Sequence, residues 1–366
     1  SKRRNLFFHT RYSAGYGLFH KRIEMINGVY FYRCFQTPRK LLPGFIGLSL
    51  NFLSFVFSSL LWVLFFFSWK KYSAIIVHAP SPVTQAIPAC VLGKIKHTPV
   101  YTWIQDIWPD SVISTVGEKG LKLKAILQTI TDWVYKNSTK ILVTSKGMCE
   151  LINRTYDYSK KIVYFPQWSD EMYAGYEKKE NETLSYNIMM AGSLNDGIGV
   201  PALMSLCLEL KNDKVKFTFV GGGNEEQNMR AFVKDNRLNN VYFTGRKAIN
   251  EMPSYFAQAD AMLLSLKETH LPHLRATVPA RLQSYMSAGK PILAMIEGSA
   301  ADIIKDADCG YAVSAGDYKG LANYIRETVL PNKSSFAEKG ENARNYFLDN
   351  FTKGICIKNL INIMEG

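Results

Sequence analysis

In the second half of the chain, short apolar runs recur at nearly even spacing, and several end on glycine: "NIMMAG", "FTFVGGG", "VYFTG", "AMLLSL", "PILAMI" and "GYAV". Runs of this length without alternation predict buried strands, because a strand wetted on one face alternates apolar with polar residues. A helix-length segment follows most of them, and parallel strands need such a crossover. The first half repeats the rhythm in "AIIV", "VYTWI", "KILVTS" and "KKIVYFPQ", with a helix over 121–137. Residues 169–186, "SDEMYAGYEKKENETLSY", are polar and unpatterned, as a linker is. The expected architecture is α/β, with two Rossmann-like doubly wound domains facing across a cleft. They span 1–168 and 187–348, and 349–366 is expected to form a helix returning to the first domain.

Ligands of such sheets lie beyond the carboxyl ends of the strands. The strand exits of the second half carry Gly192, then Gly221, Gly222 and Gly223, then Gly245. Glycine lets backbone approach a phosphate closely, and a following helix offers unpaired amides. Neither GxGxxG nor GxxxxGK[ST] occurs, so no dinucleotide fingerprint or P-loop is predicted. In "TVPARLQSYMSAGKPILA", residues 277–294, a helix starts just after Pro279, stops near Gly289 and leads into a strand. Arg281 stands in its first turn, where a cation suits an anionic ligand.

A length of 366 residues accommodates two domains, and 47% apolar residues exclude a disordered chain. The net charge of +13 predicts attraction to nucleic acid, a phospholipid surface or phosphorylated small molecules. No RNA-binding signature or zinc-finger spacing occurs, so no nucleic acid partner is expected. The six cysteines are far apart, with no CxxC pair or local His cluster, and read as reduced thiols in a cytosolic compartment with no metal site. Residues 41–69 carry no charge, yet Gly47, Asn51, Ser54 and Ser58 share one helical face. A helix over about 45–68 is either buried on most sides, or packs this stripe on the protein while its aromatic side enters lipid. Basic residues flank both ends and no second span follows, which favours membrane contact over a crossing. "SKRRNLFFHT" lacks the apolar run of a secretory signal.

"AGSL", "FVGGGNEEQNMR", "VYFTGRKAINEMPSYFAQADAMLLSLK", "TVPARLQSYMSAGKPILA" and "ADIIKDADCGYAVSAGD", with "APSP", "QDIWPDS" and "YFPQWSDE" before them, resemble the family 4 (group 1) retaining glycosyltransferases of GT-B fold. Within that family they are most similar to the branch building bacterial capsule and O-antigen units. The resemblance implies a UDP-sugar as co-substrate, no further cofactor and no metal. It implies transfer of a sugar, an N-acetylated or deoxy hexose, to a polyprenyl-diphosphate-linked acceptor at the cytoplasmic face of the inner membrane. Lys267 and Arg281 would neutralise the diphosphate. Gly192, Ser193, Asn195, Gly222, Thr277, Val278 and Pro279 would line the donor, with Arg246 and Lys247 at the base and Gln283 or Ser284 near sugar or ribose. His78, Ser81 and Trp108 would meet the acceptor. Asp106, just past a strand, either takes the acceptor proton or orients the hydroxyl as a catalytic group, or caps the next turn.

Three departures qualify the resemblance. The paired glutamates of many members are replaced by Ala276 and Ser284, and the usual Arg and Lys after the first donor-domain strand are missing from "AGSLNDGIGV". The first βα unit of the family is expected to be missing, since nothing ahead of "EMINGVYFYR" matches it. Two other functions stay open: a GT-B-fold UDP-sugar 2-epimerase, which has no use for the 41–69 stretch, and a noncatalytic nucleotide-sugar-binding subunit. Turnover that requires a lipid acceptor separates transfer from both.

Overall fold

A computed structural model describes residues 23–38, 42, 44–175 and 185–366. Of the expected linker, residues 176–184 lie outside the described residues, as does "SKRRNLFFHT". The chain divides into two compact units, 1–143 with 152–164, and 144–151 with 165–366. The helix Lys353–Glu365 falls in the second unit, not the first.

In the first unit, β1 (Ile23–Ile26) and β2 (Val29–Tyr32) form an antiparallel hairpin about Asn27 and Gly28, both at positive φ. Asn-Gly between apolar residues is the local sequence signal for such a turn. β3 (Ile75–Ala79), β4 (Val100–Ile104), β5 (Lys140–Val143) and β6 (Ile162–Tyr164) form a parallel sheet in sequential order. Every residue of β4 is buried, as its unbroken apolar run requires.

The uncharged stretch forms an α-helix, Gly44–Trp62, continued by a π-helical turn, Val63–Phe67. Its small stripe receives the chain that precedes it. Asn51, fully buried, donates through Nδ2 to the Thr37 carbonyl and accepts from Gln36 Nε2 at 3.3 Å. Ser54 Oγ accepts from Thr37 N at 2.9 Å, and Ser58 Oγ donates to Phe35 O at 2.6 Å. A stripe of short polar side chains on an apolar helix is therefore a seat for an extended strand of backbone. An adjoining face stays bare: Leu53 is 65% exposed and Phe57 67%.

The second unit holds β7 (Tyr186–Ala191), β8 (Val215–Val220), β9 (Val241–Gly245), β10 (Ala261–Ser265), β11 (Ile292–Met295) and β12 (Gly310–Val313), all parallel. Their spatial order is β12-β11-β10-β7-β8-β9. The order reverses between β7 and β10, which makes this sheet doubly wound and puts a crevice beyond those two strands. Two apolar cores cover its faces, one around Phe217, Leu203 and Leu321, the other around Tyr285, Leu264 and Phe347.

Asn51→Ala should lower the unfolding free energy by about 1–3 kcal/mol, because the Thr37 carbonyl and the Gln36 amide lose a buried partner. Urea titration followed by circular dichroism measures it.

Candidate functional site

Beyond the carboxyl ends of β7, β8 and β9 lies a cavity of about 460 Å³, within the usual range for small-molecule sites. Gly192, Ser193, Gly221 and Gly222 form its floor; Arg246, Lys247, Ile249 and Met252 stand on one side, Arg281, Ser284 and Tyr285 on the other. Three of the lining residues are cationic and none is acidic.

Backbone packs on backbone at the floor. Gly221, at φ +143°, lies so close to the next turn that a Cβ would overlap the Gly192 carbonyl oxygen, and a Cβ on Gly223 would overlap that of Leu194. Gly192, at φ +127°, carries the Arg281 guanidinium above it, 3.5 Å from where a Cβ would stand. Gly221 and Gly223 are thus required by close approach, not only by turn geometry.

Arg281 begins the helix Arg281–Ser287. Its Nη2 donates to Ser193 O at 3.3 Å, while Nη1 is buried without a hydrogen-bond partner. A buried guanidinium nitrogen with no acceptor is an unmet demand for an anion. Lys247 lies with its ammonium 5.2 Å from the Tyr255 ring centroid, and the Tyr255 side chain raises its pKa. Tyr285 is fully buried, which pushes its hydroxyl above the ordinary tyrosine range, with the Arg281 charge opposing.

Several residues expected at the donor have other duties. Lys267 does not line the cavity: one residue beyond Leu266, it pairs with Asp196 at 2.9 Å, both side chains being exposed. Asn195 caps the turn after β7, its Oδ1 accepting from Gly197 N at 3.0 Å. Gln283 is 2% exposed, and its amide nitrogen, in the orientation that satisfies both ends, donates to Pro279 O at 3.1 Å and Ala280 O at 3.2 Å. It fastens its own helix and cannot reach a sugar. Thr277 Oγ1 donates to His273 O, Val278 is in the core, and Pro279 accepts from Leu282 N. Asn195, Gln283 and Thr277 bond to backbone within four residues of themselves, the local competition common for short polar side chains, whereas the partner of Lys267 comes from the exit of another strand.

Ser284 does line the cavity, with its Oγ 2.9 Å from Ser169 Oγ. Ser287 Oγ donates to Asp170 O at 2.9 Å, so residues 169–170 run along the helix and deliver Tyr173 to the cavity wall against Phe256. This segment reads as linker in the sequence because its anchors are backbone groups and a hydroxyl pair rather than an apolar pattern.

Of the acceptor residues in the first unit, Trp108 donates through Nε1 to Ser81 Oγ at 3.2 Å, which joins two strand exits. Trp108 is only 3% exposed, so its side chain offers almost no surface to an acceptor. His78, near the end of β3, holds its ring 5.1 Å from that of Trp103 at a tilt of 54°, and partial burial lowers its pKa. Asp106 is half-buried in the loop after β4. Among the described residues no three His, Cys, Asp or Glu side chains cluster as metal ligands.

Residues 176–346 match the family described as Glycosyl transferases group 1. The chain is a glycosyltransferase. It is similar to the probable glycosyltransferase WbjE of Pseudomonas aeruginosa, 22% identical over 89% of this chain and 82% of the relative. Among solved structures, sucrose-phosphate synthase from Thermosynechococcus elongatus shares the fold with a TM-score of 0.73 at 14% identity, over 95% of this chain and 86% of that one. Anabaena HepE, solved in complex with UDP, gives 0.67 at 14% identity, over 87% and 84%. The fold of this glycosyltransferase is GT-B.

Gly221→Ala should destabilise the second unit by more than about 2 kcal/mol, since the added methyl strains φ and meets immovable backbone. A lowered thermal midpoint by calorimetry checks it.

Proposed function

We propose that the chain moves a sugar, with retention of anomeric configuration, from a UDP-sugar to a polyprenyl-diphosphate-linked acceptor at the cytoplasmic face of a bacterial inner membrane, in surface polysaccharide assembly. The observation that carries this reading is the Arg281 Nη1 left without a partner above Gly192, in a cavity with three cations and no acid. A nucleoside diphosphate supplies the missing acceptor. Its negative charge grows as the glycosidic bond breaks, so a fixed guanidinium there favours the transition state over the bound donor.

UDP rather than another nucleotide is supported by the likeness to HepE, whose structure holds it. Ile249 and Met252 offer apolar surface to a base beside Arg246 and Lys247. Ser284, paired with Ser169, meets a hydroxyl of the ribose or sugar where many relatives place a carboxylate. With Lys267 engaged by Asp196, Arg281 carries most of the phosphate work. In the first unit, Asp106 orients the acceptor hydroxyl.

A lipid-linked acceptor is supported by the Gly44–Trp62 helix. Its exposed residues Ile46, Leu50, Leu53 and Phe57 share a face, Trp69 beyond it is 83% exposed, and the hairpin adds Met25 and Tyr30, each 62% exposed. Lys70 and Lys71 follow directly, placing positive charge where anionic headgroups lie.

UDP should raise the thermal midpoint and GDP, ADP and CMP should not; at a hundredfold excess over the dissociation constant the gain is about 2.7 kcal/mol. Arg281→Ala should leave only a small part of the shift. No stabilisation of the native protein by any of the four overturns the donor reading. Leu53→Glu with Phe57→Glu should release the protein from vesicles of anionic phospholipid in a flotation assay, and unchanged flotation would remove the support for a lipid acceptor.

A further inference from the structure

β7 and β10 separate early. Their ladder joins Ile188 to Ala261 and Met189 to Met262 and ends there, whereas β7 stays paired with β8 as far as Ala191. Successive residues of a strand direct their amide groups to opposite sides, and Gly192 N bonds to Val220 O on the β8 side. The N–H and C=O of Ala191 therefore face the side that β10 has left. Buried backbone groups need partners, and here both belong to one atom. The Tyr285 hydroxyl accepts from Ala191 N at 2.9 Å and donates to Ala191 O at 2.9 Å. Arg281 stands one turn earlier on the same helix, on the same face, and reaches Ser193 O. One short helix thus grips Ala191 and Ser193, on either side of Gly192.

We propose that Tyr285 is a positioning residue for the anion site: its hydroxyl stands in for the missing backbone of β10, fixes the Arg281–Ser287 helix against the end of β7, and so holds the Arg281 guanidinium over Gly192. The inference rests on the donor reading above. A purely structural tyrosine would stabilise the fold and leave anion affinity alone, so the two roles part at a binding measurement. Phenylalanine suits the test, because the ring packs edge-on against Phe256 at 5.9 Å and only the hydroxyl is lost.

The experiment is titration calorimetry with UDP on the native chain, Tyr285→Phe, Arg281→Ala and the double variant. The expected result is an affinity about tenfold lower for Tyr285→Phe. The double variant should bind no more weakly than Arg281→Ala alone, because a residue acting through Arg281 has nothing left to position. If Tyr285→Phe lowers only the thermal midpoint, or if the two losses multiply in the double variant, the proposal falls while the donor reading stands. If the native chain does not bind UDP, both fall. Should Tyr285→Phe fold poorly, the titrations are run in trimethylamine N-oxide at a concentration that restores its native circular dichroism, with the native chain in the same solvent.

Discussion

A parallel sheet satisfies its backbone by pairing each strand on both sides, and at the point where strand order reverses this cannot continue. β7 and β10 are neighbours for two residue pairs and then lead to helices on opposite faces. The groups that lose their partners have to be answered by other parts of the chain. Tyr285 answers at Ala191, Ser265 Oγ donates to Ile198 O at 2.8 Å, and Lys267 N donates to Gly197 O at 2.9 Å. The crevice is open to a ligand because these substitutes are single side chains and one loop rather than another strand.

Its charge follows from the same geometry. Close stacking of the Gly192 and Gly221 turns leaves no room for a side chain at Gly221, so the cations come from the rim. Arg281 arrives on a helix whose register is set by Tyr285, Gln283 and the Ser284–Ser169 pair. With no carboxylate among the lining residues, nothing in the wall competes with an anion for the guanidinium. Lys267 illustrates the opposite case: a cation at the next strand exit, already matched by Asp196.

The first unit resolves a different conflict. A long apolar helix on the surface of a domain needs a reason to stay there, and the buried Asn51 with Ser54 and Ser58 supplies it by binding residues 35–37. That attachment uses one face only. An adjoining face, from Ile46 to Phe57, is left to whatever the apolar surface meets.

The strands of both sheets were legible in the sequence, because an unbroken apolar run bounded by glycine or polar residues has few other uses. "NIMMA", "FTFV", "AMLLS" and "ILAM" all lie in strands, and the helix after Pro279 begins at Arg281. Arg281 was legible too, since its position in that helix follows from local punctuation alone. The sequence by itself determined secondary structure, the parallel sheets and the cation at the crevice, all of which depend on residues close together along the chain. Only the tertiary structure decided that Lys267 is held by Asp196, that Ser169 is anchored to Ser284, and that Tyr173, in the same stretch without pattern, forms part of the wall. Those outcomes rest on which distant groups a side chain meets, and a hydrogen bond spanning seventy or a hundred residues leaves no periodic trace in the sequence that makes it.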